Sequence, residues 1–308
     1  MPPAPAAPPA SASALLAAVV DYAGLFPPAA LDMAAAVAEY AASLAGPDAW
    51  MLGRFVVMAE QLPALTRERR RLEGAAPRWQ VSAIVRDGSE ADVAAVEAFN
   101  GEPDLGPLAM VDAIECRPRL IDGIDWIADR VPAACETYVE VGLAEDLPAW
   151  MSRIVARGLR AKIRTGGVVA EAFPSPASIV EFLSAAINAG VPFKATAGLH
   201  HAVRGAYRLT YADEAPTSMM YGYLNILFAT AALESGAPAS VAERWLVADD
   251  VSSITFDQDA VRWGGTEFSL SLLNRTRRQW MAGFGSCSFR EPAGELQEIL
   301  HGTLSARR

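Results

Sequence analysis

The sequence predicts an α/β fold, a (β/α)8 TIM barrel with an α-rich insertion between strands seven and eight. Three observations predict it. Short runs rich in Val, Ile and Ala alternate seven times with longer segments whose apolar residues recur every three or four positions. That alternation implies parallel strands joined by right-handed crossovers. An eighth pair, "GFGSCSF" (283–289) followed by "GELQEIL", stands near the C-terminus and can close the ring. A doubly wound open sheet is the rival reading. Neither GxGxxG nor GxxxxGKS/T follows any strand, so dinucleotide and P-loop sites lack their signature.

The elements follow in order. "AAVVDYA" (17–23) is the first strand, and an Ala-rich helix near 30–45 follows an "FPP" loop. "RFVVMA" (54–59), "WQVSAIV" (79–85), "LAMVDAIE" (108–115) and "TYVEVG" (137–142) are strands two to five, each preceding a helical segment. Ser89 can cap the helix "SEADVAAVEAFN". "RAKIRTG" (160–166) leads to "SPASIVEFLSAAINAG", which has a Ser-Pro start and a glycine stop. "PFKATAG" (192–198) is strand seven. About 80 residues then separate it from strand eight, far beyond a usual connection. Helices at 216–236 and 240–248 and a hairpin at 252–265 are expected there. Their place after strand seven puts them on the carboxyl side, as a lid, an oligomer contact or plain packing. The domain division expected is a flexible Pro/Ala tail over 1–14 and one barrel domain over 15–308, with 202–282 as insertion or lid.

Bulk composition bounds the function. The chain has 308 residues, 52% hydrophobic and 20% charged, enough for a sizeable core. A net charge of −10 and a pI near 4.9 argue against non-specific nucleic-acid binding and against docking on anionic lipid. Three widely spaced cysteines form no CxxC, so neither a disulfide framework nor a zinc finger is suggested, and a reducing, cytoplasmic location is expected. "MPPAPAAPPASASA" has no basic residue and no apolar run, unlike a signal peptide. "MMYGYLNILFATAAL" (219–233) is too short to span a bilayer and reads as a buried helix, with a homo-oligomer face as the other reading.

Two successive strands each carry a lysine, Lys162 and Lys194. Barrel sites sit at the C-terminal ends of the strands. With apolar Ile163 on the helix side, Lys162 and Arg164 point inward; on strand seven Lys194, Thr196, Gly198 and His200 share a face. Neighbouring strands are about 5 Å apart, so the lysines are expected to be close. Desolvation or a second cation lowers a lysine pKa. The free amine can then attack a carbonyl and form a Schiff base, with a carboxylate or water moving protons. Asp112 can reach the mouth; so can Glu115, but on the opposite face by simple alternation; Asp21 and Glu140 are further candidates. Salt-bridged structural lysines are the competing reading.

On these residues the chain resembles the class I aldolases of the deoxyribose-phosphate aldolase type. "AKIRTGG" and "FKATAG" stand where that family has its two lysines, "MVDAIE" where it has an aspartate on strand four, and "VVDYAGL" where it has one on strand one. "GFGSCSF" stands at the family's phosphate loop, offering Gly285, Ser286 and Ser288. The resemblance implies aldol cleavage or condensation within carbohydrate metabolism. Lys162 would be the nucleophile, Lys194 would lower its pKa, and Asp112 would relay protons. Asp21, Glu140, Arg164, Gly166, Gly198, His200, Ser286 and Ser288 would bind a small carbonyl substrate, with or without a phosphate. The covalent lysine would serve in place of a cofactor. The strand-seven turn "AGLHH", Arg164 and the long insertion depart from the family pattern.

Two other function classes remain. His200 and barrel carboxylates could hold a metal for a lyase or hydrolase, although there is no HxH or HExxH. The chain could instead be a ligand-binding barrel without catalysis, which predicts lysines that are ion-paired or titrate normally. An aldolase predicts one depressed lysine pKa.

Overall fold

Eight parallel strands close on themselves in the computed structural model, which describes residues 7–72 and 77–304. In chain order the elements begin with α1 (Ala10–Leu16), β1 (Val20–Tyr22), α2 (Met33–Leu44), β2 (Leu52–Met58), α3 (Leu62–Arg71), β3 (Trp79–Val85) and α4 (Glu90–Asn100). Then come β4 (Ala109–Cys116), α5 (Gly123–Arg130), β5 (Glu136–Glu140), α6 (Leu147–Ala156), β6 (Arg160–Arg164), α7 (Pro176–Ala189) and β7 (Phe193–Thr196). The long connection holds β8 (Gly205–Arg208), β9 (Thr217–Met220), α8 (Tyr223–Glu234), α9 (Ala239–Val247), β10 (Thr255–Phe256), β11 (Ala260–Trp263), β12 (Thr266–Ser269) and α10 (Leu270–Arg275). The last barrel strand is β13 (Met281–Ser286), followed by α11 (Arg290–Leu300). Around the ring the order is β1, β13, β7, β6, β5, β4, β3, β2. The fold is the expected (β/α)8 barrel.

Local chemistry sets the helix starts. Ser89 accepts the Asp92 N–H and caps α4; Asp32, Asp146 and Ser175 do the same for α2, α6 and α7. Gly190 ends α7 in the left-handed region, φ 71°. The apolar core lies between strands and helices. Ala161 and Ile163 of β6 face that layer, where Phe182 of α7 meets Phe193 of β7 edge-on. Positions facing the barrel axis are polar instead: Asp21, Ser82, Glu115, Glu140, Lys162 and Lys194 are all buried.

Several expectations need correction. The Pro/Ala tail is not free throughout. Residues 1–6 lie outside the described residues, but 10–16 form α1, with Ala12, Leu15 and Leu16 fully buried. The helix expected from 216 starts at Tyr223, because 217–220 pair with 205–208 as a second hairpin. The segment 252–265 is part of a three-stranded antiparallel sheet, β10–β11–β12. That sheet lies beside α1, where the Ser11 N–H donates to the Asp257 carbonyl. Since α1 runs straight into the start of β1, the sheet belongs to the amino end of the barrel, not to the mouth. Strand eight spans 281–286, so Cys287 and Ser288 stand in the loop beyond it.

Helix α8 supplies the barrel's seventh outer helix. It packs on α7, α9 and β13, and Tyr223 to Ala232 are buried. The core reading of 219–233 holds for that helix. Phe228, Trp245, Trp263 and Phe268 join α8, α9 and the small sheet through ring contacts of 4.5–6.1 Å.

Candidate functional site

β6 and β7 pair with Lys162 directly opposite Lys194, and β5 sets Glu140 opposite Lys162. The matched depth expected for the two lysines is what the register provides. Between them stands Glu115. Its Oε2 accepts from Lys162 Nζ at 2.7 Å and its Oε1 from Lys194 Nζ at 2.7 Å. Lys162 also donates to Glu140 Oε2 at 3.0 Å, and Lys194 to Asp21. The Ser82 hydroxyl donates to Glu115 Oε1 at 2.8 Å. The result is one chain, Asp21–Lys194–Glu115–Lys162–Glu140, running across the barrel. Its three carboxylates outnumber its two ammonium groups. Arg117, 3.6 Å from Glu140 and largely exposed, brings a further positive charge from the mouth.

The two lysines differ in access. The Lys162 side chain keeps 7% exposure and touches Glu140, the last residue of β5. Lys194 keeps 2% and lies with its ammonium 5.0 Å from the centre of the Tyr138 ring. Lys162 is therefore the more accessible of the two amines.

The electrostatics reverse an expectation. Burial alone would lower the Lys162 pKa, but Glu115 and Glu140 outweigh it and the net shift is upward. Lys194 behaves likewise, with burial opposed by Asp21 and Glu115, and is also raised. Glu115 is desolvated too, yet the two ammonium groups hold it well below the ordinary carboxylate range. The resting lysines are ammonium ions. Neither carries the depressed pKa expected of a ready nucleophile, because each has a carboxylate within hydrogen-bond reach.

Asp112 is the other correction. β4 carries an irregularity against β3: Val81 pairs with Val111, but Ser82 pairs with Ala113. Asp112 is the extra residue, and the bulge breaks the alternation that had put Glu115 on the opposite face. Both acids turn inward, at different levels. Asp112 is gripped by Arg54 Nε and Nη2 at 2.9 and 3.1 Å; Arg54 also holds Glu136, which pairs with Arg160. Arg54 lies near the start of β2 and Glu136 and Arg160 at the starts of β5 and β6, so this cluster plugs the amino end, where barrel residues serve stability. Ser82 and Tyr138 are interior residues that the sequence did not single out, and Glu115 is named there but set on the wrong face. The available signal was an acid inside a buried apolar run.

The remaining candidates gather at the carboxyl end. Arg164, Thr196, Gly198 and His200 line a cavity of about 220 Å³ with Gly285 and Cys287. Neither lysine lines it; Lys162 lies one interior position below Arg164. Gly166 and Gly198 are there for close approach: a Cβ on either would meet the Phe173 ring. Ala197 and Gly198 both have positive φ, 63° and 75°. The buried Thr165 hydroxyl steadies this turn by donating to the Ala197 carbonyl at 2.8 Å. His200 Nδ1 lies 3.1 Å from the Ser286 hydroxyl and 3.6 Å from Cys287 Sγ. Burial, with His201 adding, pushes the His200 pKa down to about 4, so the ring is neutral. Burial pushes the Cys287 thiol up to about 11. Ser288 accepts the Glu291 N–H at 3.3 Å. His201 turns away to Glu295 at 2.8 Å, stacked on Tyr207. Among the described residues, no three His, Cys, Asp or Glu side chains are grouped to hold a metal ion; Asp21, Glu115 and Glu140 are paired with lysines, apart from His200. Nor is any described helix long and apolar enough to cross a membrane.

Fold and interior together define a (β/α)8 barrel with a buried lysine–carboxylate chain beneath its mouth. No protein-family model matches the chain, and no curated protein matches it. Among solved structures it is similar to the spore cortex-lytic enzyme SleL of Bacillus cereus, at 11% identity and a TM-score of 0.31. The match covers 81% of this chain and 64% of that one, so the chain spans less than two thirds of the length of that structure.

Proposed function

We propose that this barrel is a lyase that makes or breaks a carbon–carbon bond in a small aldehyde or keto compound through a Schiff base on Lys162. The observation that carries the reading is the position of the Lys162 ammonium: within hydrogen-bond reach of two carboxylates, and at the more open end of the chain. The raised pKa makes proton removal the first requirement. A bound carbonyl displaces the Glu140 contact, and Glu140 or Glu115 takes the ammonium proton. The amine lone pair then forms the C–N bond as the carbonyl π pair moves to oxygen; the nitrogen loses a proton to that oxygen, the carboxylate returns the one it took, and water leaves. The iminium accepts the electron pair of the breaking carbon–carbon bond while the carboxylate takes the hydroxyl proton of the departing fragment, which leaves as a carbonyl. Lys194 keeps Glu115 charged and aimed.

A second reading has a specific observation in its favour. Ion-paired lysines with raised pKa values are what a ligand-binding barrel without catalysis predicts. Borohydride trapping decides between the two. Wild-type protein is incubated with a panel of small aldehydes and keto acids, reduced, and mapped by peptide mass spectrometry. The lyase reading expects an irreversible adduct on Lys162 that is lost in Lys162→Ala and formed faster as the pH rises. No adduct with any carbonyl between pH 6 and 10 would favour the binding barrel.

A further inference from the structure

The cavity above Lys162 has a composition that selects among carbonyl compounds. Among the described residues, Arg164 is the one charged side chain lining it, and it has no ion-pair partner there. The neighbouring groups are small or neutral: Thr196, Gly198, Gly285 and the uncharged His200 ring. A volume of about 220 Å³ is below that of drug-sized pockets. Arg164 faces the same way as Lys162, two residues further along β6, about 7 Å at strand rise. A molecule of a few carbons can therefore bridge the guanidinium and the amine.

The place where a phosphate would be held is already engaged. The Ser286 hydroxyl lies against His200, and the Ser288 N–H points at that same oxygen, 3.4 Å away. The Ser288 hydroxyl takes the Glu291 N–H. Glu291 itself stands in the first turn of α11, where it receives the Tyr211 hydroxyl at 2.9 Å and lies 3.8 Å from His200. A dianion placed there meets a carboxylate, while the helix start is served by its own acid. A single planar guanidinium matches a single planar anion.

We infer that Arg164 binds a carboxylate, so that the substrate is a small keto or aldehyde acid and not a phosphorylated sugar; the inference rests on the lyase reading for the carbonyl but not for the anion. Carboxylates without a carbonyl cannot form an imine, so they test the anion site alone. Propanoate and lactate are titrated calorimetrically into the wild-type protein, beside propane-1,2-diol and inorganic phosphate. Both carboxylates are expected to bind, the diol is not, and phosphate should not displace lactate. Arg164→Gln should weaken lactate about 10- to 100-fold, as loss of a charge-assisted pair does. Arg164→Lys should recover only part of it. Arg164 is exposed, so both variants are expected to keep the wild-type melting temperature. Unchanged lactate binding in Arg164→Gln, no carboxylate binding to wild type, or displacement of lactate by phosphate would each overturn the inference, whatever borohydride trapping shows.

Discussion

Glu115 holds both ammonium groups, one on each oxygen, while Ser82 fixes the oxygen that faces Lys194. Asp112 makes no such contact; it is held by Arg54 at the amino end. The two acids therefore predict different phenotypes. Glu115→Gln leaves two buried cations with one carboxylate fewer, a change that costs about 3–5 kcal/mol when a buried pair is broken. It also withdraws a charge that raises the Lys162 pKa, so trapping should begin at lower pH than in wild type. Asp112→Asn should lower stability through Arg54 and leave the pH profile of trapping in place. Urea unfolding and trapping between pH 6 and 10 separate the two effects. An Asp112→Asn protein that unfolds like wild type but yields no adduct would return the proton relay to Asp112. Sequence could place both acids on β4 but not rank them, because a one-residue bulge reverses every side chain beyond it without altering composition.

At the scale of elements, the barrel strands were legible for a physical reason. Parallel strands covered on the outside read as short apolar runs, and a lysine in such a run is conspicuous. The insertion was less legible. β8 and β9 are partly exposed strands of only four residues, Gly-Ala-Tyr-Arg and Thr-Ser-Met-Met, too short to mark themselves, and Pro/Ala composition concealed α1. What seats the insertion is Asn225, fully buried in the first turn of α8. Its side-chain oxygen accepts the Arg204 and Gly222 N–H groups at 2.8 and 3.1 Å. Its amide nitrogen donates to the carbonyls of Trp245 and Ala248. One side chain thus joins the β7–β8 loop, α8 and the end of α9. Asn225→Ala leaves these backbone groups buried without partners, and a loss of about 3 kcal/mol is expected. Hydrogen exchange should rise first at Arg204 and Gly222. Protection there equal to wild type would show that the insertion is seated by its aromatic cluster instead.

At the scale of the whole molecule, the buried charges set the shape of stability against pH. Glu115 is held below its ordinary value of 4.5, so its contribution is complete above that pH and is lost only as pH falls below it. Lys162 and Lys194 are raised above 10.5, so their contribution is complete below that pH and is lost as pH rises past it. The contribution of these three groups is therefore flat between about 5 and 10. His200 breaks that flatness. Packed against Ser286 and Cys287, with Glu291 at 3.8 Å, it stays neutral down to about 4, whereas the unfolded chain takes up a proton from 6.5 downward. The unfolded state binds more protons across that interval, so stability must fall as pH falls from 6.5 to 4. The amount is of order 3 kcal/mol for a fully realised shift. His200→Asn should remove that slope and move the onset of acid destabilisation down to the carboxylate range, as read from urea unfolding between pH 4 and 8. An unchanged slope in His200→Asn would mean that His200 takes up its proton in the folded barrel at the ordinary pH. The mouth cavity would then gain a second cation in mild acid, lactate would bind more tightly at pH 5 than at pH 7, and Arg164 would cease to be its single charge.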